Sequence, residues 1–465
     1  MIAALGGLVL PVAAAWLAVR AWCAAPVRGS ALLTAALAVC LGVGASSLTT
    51  FWLALAGGGL GGWFVPVDAL LWIGAGALAW RSRGTRGPAS LGAGARSPKA
   101  PAGPSLRIVQ GAFAVLAALA AATLAAEYIA APHGQWDAWA IWNQKARFLV
   151  RGGDQWTALI EIPWSNPSHP ILVSASVARL WSYAGAELTL VPALLSAAFG
   201  AAVVAAVIGA LGAGRRRAWL AGAVLVSTWT YTHLMAAQTA DLPVGLFMLA
   251  ALILLAGDRA SWRDPVAARR SLLLAGALAG LAAWTKNEGL VFIAVTLPWL
   301  AWIAVRYGRP RDLAWWAAGA APALLTVAWY KLAFAPEPPA YMSDPLALTG
   351  IIQTLASPER HALVDPLAGR LWLQWGGPNA GFALPLAMAA AVWVALTPAG
   401  QPVRGIVWTA FVMLLSYYVV WLLSPLDAQW LVGTTFERLV SQVWPPLVLV
   451  AFWTGAGRVL SDPAP

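Results

Sequence analysis

The sequence predicts an all-α integral membrane protein that crosses the bilayer many times, and three observations carry that prediction. Mean hydropathy is +0.72 over 465 residues, of which 60% are hydrophobic and only 10% charged. The apolar runs are long enough to cross a hydrocarbon core, which takes about 20 helical residues. Most of the 29 Lys and Arg residues fall in short loops between those runs. That is the pattern of topology signals and headgroup contacts, so the net charge of +11 does not point to a nucleic-acid partner.

The first run, starting IAALGGLVLPVAAAWLAV, has no basic segment before it and further apolar runs after it. It therefore reads as a span and not as a cleaved signal. Cys23 and Cys40 lie beside or within the early runs, without the spacing of a metal site or a disulfide framework. Residues 81–107, RSRGTRGPASLGAGARSPKAPAGPSLR, are basic, free of acids and rich in Gly, Pro, Ser and Ala. They read as a disordered cytoplasmic loop and as the main internal boundary. The same rule puts GRRR at 214–217, the segment with Arg259, Arg263, Arg269 and Arg270, and Arg306, Arg309 and Arg311 on the cytoplasmic side.

Spans then fall near 2–20, 31–54, 62–80, 108–131, 188–211, 218–236, 242–257, 271–286, 290–305, 313–335, 376–397, 404–424 and 438–457. The count is about thirteen, with the N-terminus outside and the C-terminus inside. The chain divides into a three-helix segment with its basic loop (1–107), a membrane core with a long outer loop at 132–187 (108–335), and a second outer loop with the last helices (336–465). HPILVSASVARLWSYAG, residues 169–185, is left out of the count. It is short, has Arg179 in its middle, and as a span would send GRRR outside, so it is expected to lie as an amphipathic helix at the outer interface. No repeat of fixed period is visible.

The outer face therefore collects the loops 132–187 and 336–375 and short connections around Asp241, Asn287 and Asp427. In HGQWDAWAIWNQKARFL, residues 133–149, a helical wheel puts Trp139, Trp142, Ala146 and Leu149 on one side and Asp137, Gln144, Arg147 and Arg151 on the other. Tryptophans and bases anchor such a helix at the headgroups. An acid gains nothing from anionic lipid, so Asp137 stands out as a functional candidate. AAQTADLPVGLF puts Asp241 at the mouth of a span, where it also reads as an N-cap, with Pro243 two residues on. AAWTKNEGLVF puts Lys286, Asn287 and Glu288 in a turn between two short helices, which reads as a solvated turn or as one dipping into a protein-lined cavity. Arg438 is expected at the outer start of the last span, as a snorkelling arginine or a ligand. His169 before Pro170 reads as a structural cap or a ligand.

Read in order, these elements resemble the bacterial polytopic glycosyltransferases of the GT-C fold, the group that includes protein O-mannosyltransferases and aminoarabinose transferases. The resemblance rests on QWDAWAIWNQKARFL in the first long outer loop, SHPILV opening the next helix, QTADLP after the following pair of helices, then TKNEG, with a C-terminal TTFERLVSQVWP, and it runs from about 108 to 457. The first-loop acid stands alone here, between Trp136 and Ala138, where many relatives carry two, and Ile171 follows His169 and Pro170 where a second Pro is common.

The resemblance implies inverting transfer of a sugar from a polyprenyl-phosphate donor to a glycan, lipid or protein acceptor on the outer face of the cytoplasmic membrane. Asp137 and Asp241 are the catalytic acids it implies, with Asp137 as general base. Lys286, Glu288, Arg438, His169, Lys145 and Arg147 are its candidates for holding the donor. A divalent metal is the one cofactor the chemistry admits, with Asp137 and Asp241 as ligands. A secondary transporter and a lipid-linked polysaccharide polymerase or ligase are the alternatives. A transporter would show two repeated halves with charges at the midplane, whereas here the charges gather at one face.

Overall fold

A computed structural model describes residues 1–23, 30–84, 104–162, 164, 166–256, 264–335, 348–376 and 382–453. Among these residues the chain is helical throughout, with no strand. The basic stretch 85–103, Arg259, Arg263, residues 336–347 of the second outer loop and the end of the last predicted span lie outside the described residues.

The N-terminal part is α1 (Ile2–Trp22), α2 (Ala31–Gly57), α3 (Phe64–Gly84) and α4 (Pro104–Ala130). Ser30 caps α2 by accepting the Leu33 amide, and Gly58 ends it at φ +64°, a left-handed conformation that a side chain would strain. A π-turn (Ala138–Trp142) leads into α5 (Asn143–Arg151), followed by α6 (Trp156–Ile160) and α7 (Leu172–Ala184). The centre comprises α8 (Leu190–Leu211), α9 (Arg216–Ser227), α10 (Trp229–Ala237), α11 (Asp241–Leu255), α12 (Pro265–Thr285), α13 (Glu288–Arg306) and α14 (Leu313–Phe334). The chain continues with α15 (Leu348–Leu355), α16 (Pro358–Gln374), α17 (Ala383–Leu396), α18 (Arg404–Leu423) and α19 (Ala428–Ala451).

Among the described residues, nine helices are long and apolar enough to cross a membrane, or ten if α10 and α11 together make one bent span. This is a polytopic membrane protein, and the expected figure of thirteen exceeds what length and hydropathy establish. The predicted span 218–236 is divided at Thr228, and α9 with 12 residues rises only about 18 Å. The predicted span 376–397 holds a 14-residue helix, and the predicted span 438–457 belongs to a helix that begins at Ala428.

Two expectations about the outer surface are corrected. The segment 169–185 does not lie on the interface: every residue of α7 from Leu172 to Trp181 is buried, packed against α1, α2 and α5. Its arginine is satisfied internally. Arg179 Nη2 meets Asp68 Oδ2 at 2.5 Å and Nη1 donates to the Gly7 carbonyl at 2.6 Å, while Tyr183 donates to Asp68 at 2.8 Å. A charge that finds a buried partner need not reach the headgroups. The described part of the second outer loop, from 348, is largely the two helices α15 and α16.

Two devices position the outer end of the bundle. The first is the pairing of α12 and α14, where GALAG at 276–280 lets the backbones touch. A Cβ at Gly276 would collide with the Trp316 carbonyl, and one at Gly280 would come within 2.8 Å of the Ala320 carbonyl. The second is the 117° bend between α10 and α11. It turns on Gln238, held at φ +57°, whose side chain donates to the Pro132 carbonyl and accepts from Asn143. The bend sets Asp241 at the first position of α11, in the interior of the bundle.

Candidate functional site

Four separate segments bring charge to one place. Asp137 precedes the π-turn, Asp241 opens α11, Lys286 and Glu288 flank the tight turn between α12 and α13, and Arg438 lies in the outer half of α19, one helical turn from Gln442. Arg438 joins the two aspartates: its Nη2 is 2.5 Å from Asp137 Oδ2 and its Nε is 3.1 Å from Asp241 Oδ2. Lys286 joins the next two carboxylates, 2.8 Å from Asp241 Oδ1 and 2.7 Å from Glu288 Oε1. Gln442 donates to Asp241 Oδ1 at 2.9 Å and accepts from the Tyr417 hydroxyl at 2.8 Å.

Exposure separates the members of this network. The Asp241 side chain is 0% exposed and that of Lys286 4%, against 25% for Arg438 and 18% each for Asp137 and Glu288. Both oxygens of Asp241 are taken by donors. Asp241 is therefore the fixed anchor on which the cations are set, and the expected N-cap role is not seen, since Ala240 holds that position without a side-chain cap. Lys286 faces two carboxylates inside the protein rather than an open donor site. Asp137 and Arg438 present the accessible acid and the accessible base. Glu288 adds Oε2, a buried acceptor with no partner.

Beside this network lies a second, built on the loop that precedes α7. Lys145 is fully buried and donates to the carbonyls of Asn166 and His169 at 2.8 and 3.0 Å. Lys331 donates to the Ser168 carbonyl and to Asn287 Oδ1, and Tyr330 to the Pro167 carbonyl. The Asn287 amide faces His169 Nδ1 at 3.4 Å, and the His169 ring lies 5.8 Å from that of Trp142. Burial and the neighbouring Lys331 bring the Lys145 ammonium down to about 7. Burial, reinforced by Lys286, Lys145, Arg438 and Lys331, holds His169 neutral, well below the ordinary imidazole value. Lys145 is thus a loop clamp, and the pocket as a whole gathers four cations against three carboxylates.

Arg147, grouped with these residues on sequence grounds, is not brought to them. It pairs with Glu187 at 3.3 Å and lies 5.4 Å over the Trp181 ring. The wheel drawn from Asp137 fails at the π-turn, where the widened pitch breaks the register. Trp142, Ala146 and Leu149 are buried as expected, but Trp139 is 45% exposed and packs edge-on against the exposed Trp136, while Ile141 turns inward. Sequence reasoning missed Gln442, Tyr417 and Lys331. The signal for Gln442 is its i+4 spacing from Arg438; the neutral side chains otherwise carry no mark.

The expected divalent metal finds no suitable ligand set. Among the described residues no three His, Cys, Asp or Glu side chains group as metal ligands would. The two aspartates proposed for it already share the Arg438 guanidinium, so fixed cations stand where the metal would compensate charge. Chemically, the arrangement can accept a proton at Asp137 and attract an anion at Arg438. Compared with known protein families, curated proteins and solved structures, the chain matches none.

Proposed function

We propose that this protein is a membrane glycosyltransferase of GT-C type, transferring a sugar with inversion from a polyprenyl-phosphate donor to an acceptor at the outer face of the cytoplasmic membrane. In this reading the helices make about thirteen crossings, with the N-terminus outside, and the broken pair α9–α10 together forms one of them. The observation that carries the reading is the convergence of Asp137, Asp241, Lys286, Glu288 and Arg438 into one network, two of whose charged groups stay accessible. Buried charge inside a membrane protein is expensive, and five such groups at one end of the bundle mark a place where charge is handled.

The chemistry follows from which groups remain reachable. The acceptor hydroxyl attacks the anomeric carbon while Asp137 takes its proton, and the bond from that carbon to the phosphate oxygen breaks with its electron pair leaving on the phosphate. Negative charge grows on that oxygen. Arg438, anchored by Asp241, is the donor positioned for it. Arg438 also holds Asp137 in the unliganded protein. An arriving phosphate competes for the guanidinium and frees the carboxylate to act as base, so donor binding and base activation are one event. Glu288 Oε2 is an acceptor for a sugar hydroxyl. Lys286 keeps Asp241 and Glu288 ionised and in place. No step requires a metal.

The test is single-turnover transfer of labelled sugar from polyprenyl phosphate by the purified protein in nanodiscs. Transfer that depends on Asp137 supports the reading. Movement of an intact solute across proteoliposomes without sugar transfer favours the transporter, and joining of lipid-linked chains favours the polymerase or ligase.

A further inference from the structure

α4 is the most peripheral of the long helices, with none of its residues buried. Between it and α8 runs a cavity of about 470 Å³, lined almost entirely by apolar atoms. Its walls are made of small side chains, Ala117 and Ala121 from α4 and Ala201 and Ala205 from α8, so the two helices leave a slot that larger residues would fill. Phe113 and Trp219, edge-on at 5.2 Å, mark one end, and Leu124 and Met235 the other. The slot therefore follows the membrane normal over several turns, a shape suited to one hydrocarbon chain and not to a compact solute.

The two ends differ in charge. At the Trp219 end, α9 begins with Arg216 and Arg217, and among the described residues no carboxylate pairs with either; Arg217 Nε is buried without a partner. The basic GRRR sequence puts this end at the cytoplasmic headgroups. At the other end, Glu127 stands one turn beyond Leu124, held by His233 at 3.1 Å, with its second oxygen buried and unpaired. A phosphate is attracted to the first end and repelled from the second.

We propose that this slot is a binding site for an anionic glycerophospholipid of the cytoplasmic leaflet, one acyl chain between α4 and α8 and the phosphate on Arg216 and Arg217. The lipid fills the space that keeps α4 at a distance from the bundle and holds that helix, whose outer end leads into the Asp137 loop. A polyprenyl-phosphate tail entering from the outer face would set its phosphate beside Glu127, which is why the slot is assigned to a resident lipid. The assignment does not depend on the transfer chemistry proposed above.

Native mass spectrometry of the full chain, loaded with phosphatidylglycerol or with phosphatidylcholine of the same acyl composition, tests the site. Phosphatidylglycerol should be retained in preference by roughly tenfold or more, the scale of two arginine–headgroup attractions. Arg216→Gln with Arg217→Gln should abolish the preference, and the paired Lys substitutions should restore most of it. Ala201→Phe should reduce retention of both lipids. Equal retention of the two lipids by the unaltered protein, an Ala201→Phe variant that retains lipid unchanged, or displacement of phosphatidylglycerol by polyprenyl phosphate would each overturn the proposal.

Discussion

Arg438 closes on Asp137 at 2.5 Å with one nitrogen while another, on the same guanidinium, stays 3.1 Å from Asp241. One planar cation thus holds a mobile acid against an immobile one. Asp137 can leave this arrangement because it is partly exposed, and Asp241 cannot, because Lys286 and Gln442 also bind it.

Asp137→Asn keeps size and hydrogen bonding and removes the base. Single-turnover transfer should fall by roughly 10²- to 10⁴-fold, the usual contribution of general base catalysis, with donor binding little changed. A variant that transfers at the rate of the unaltered protein would reduce Asp137 to a partner of Arg438.

Arg438→Lys keeps the charge but loses the fork that reaches two carboxylates at once. Transfer should drop by roughly 10-fold to 10²-fold, and by more in Arg438→Gln, where the developing phosphate charge has no donor. Donor titration separates the effects: an unchanged rate at saturating donor with weakened binding would confine Arg438 to recognition and contradict a role in the transition state.

The Lys145 ammonium sits near 7 in the folded chain and near 10.5 when free. Between these values the unfolded chain binds the extra proton, so stability rises with pH across that window. Below about 7 both forms are charged and the cost of burial is fully present. Relative to Lys145→Met, the unaltered protein should gain thermal stability from pH 7 toward pH 10; a difference that shrinks or stays flat would show that Lys145 keeps its proton.

Arg179 and Asp68 form a buried pair that ties α7 to α3, with Gly7 of α1 as third partner. Removing one charge strands the other. Asp68→Asn or Arg179→Met alone should destabilise by about 3–5 kcal/mol, and the double variant by clearly less than the sum. Additive losses would mean that the pair is not a unit.

Sidedness is checked with single cysteines at Ser168 and Ser90 in a background lacking Cys23 and Cys40, both buried thiols. An impermeant thiol reagent on intact cells should label Ser168→Cys and spare Ser90→Cys. The reverse pattern would place Asp137 on the cytoplasmic side and remove the basis for a lipid-linked donor.

The helices were legible because hydropathy is a local property, and the charged members of the site because each interrupts an apolar context. Asp137, Asp241, Lys286, Glu288 and Arg438 stand out for the same reason: charge there needs a partner. What the sequence concealed is pairing. Arg179 looked like a surface arginine because its partner lies 111 residues away, although Asp68, an acid inside an apolar run, carried the complementary signal. Lys286 and Lys145 looked like donor ligands because nothing local shows that their ammonium groups turn inward. Gln442 and Tyr417 are neutral, and neutrality leaves no trace in a hydrophobic helix.

The π-turn at Ala138–Trp142 makes this region unusually intolerant of a change in length. A π-turn is an α-helix with one residue more than its pitch allows, so deleting any single residue there would restore the regular winding and swing everything downstream by about 100°. Lys145 would leave the carbonyls of Asn166 and His169, and Asn143 would leave Gln238, whose left-handed backbone shapes the bend before Asp241. Substitutions in this stretch alter one contact at a time, whereas a one-codon deletion would unfasten both aspartates from their supports together.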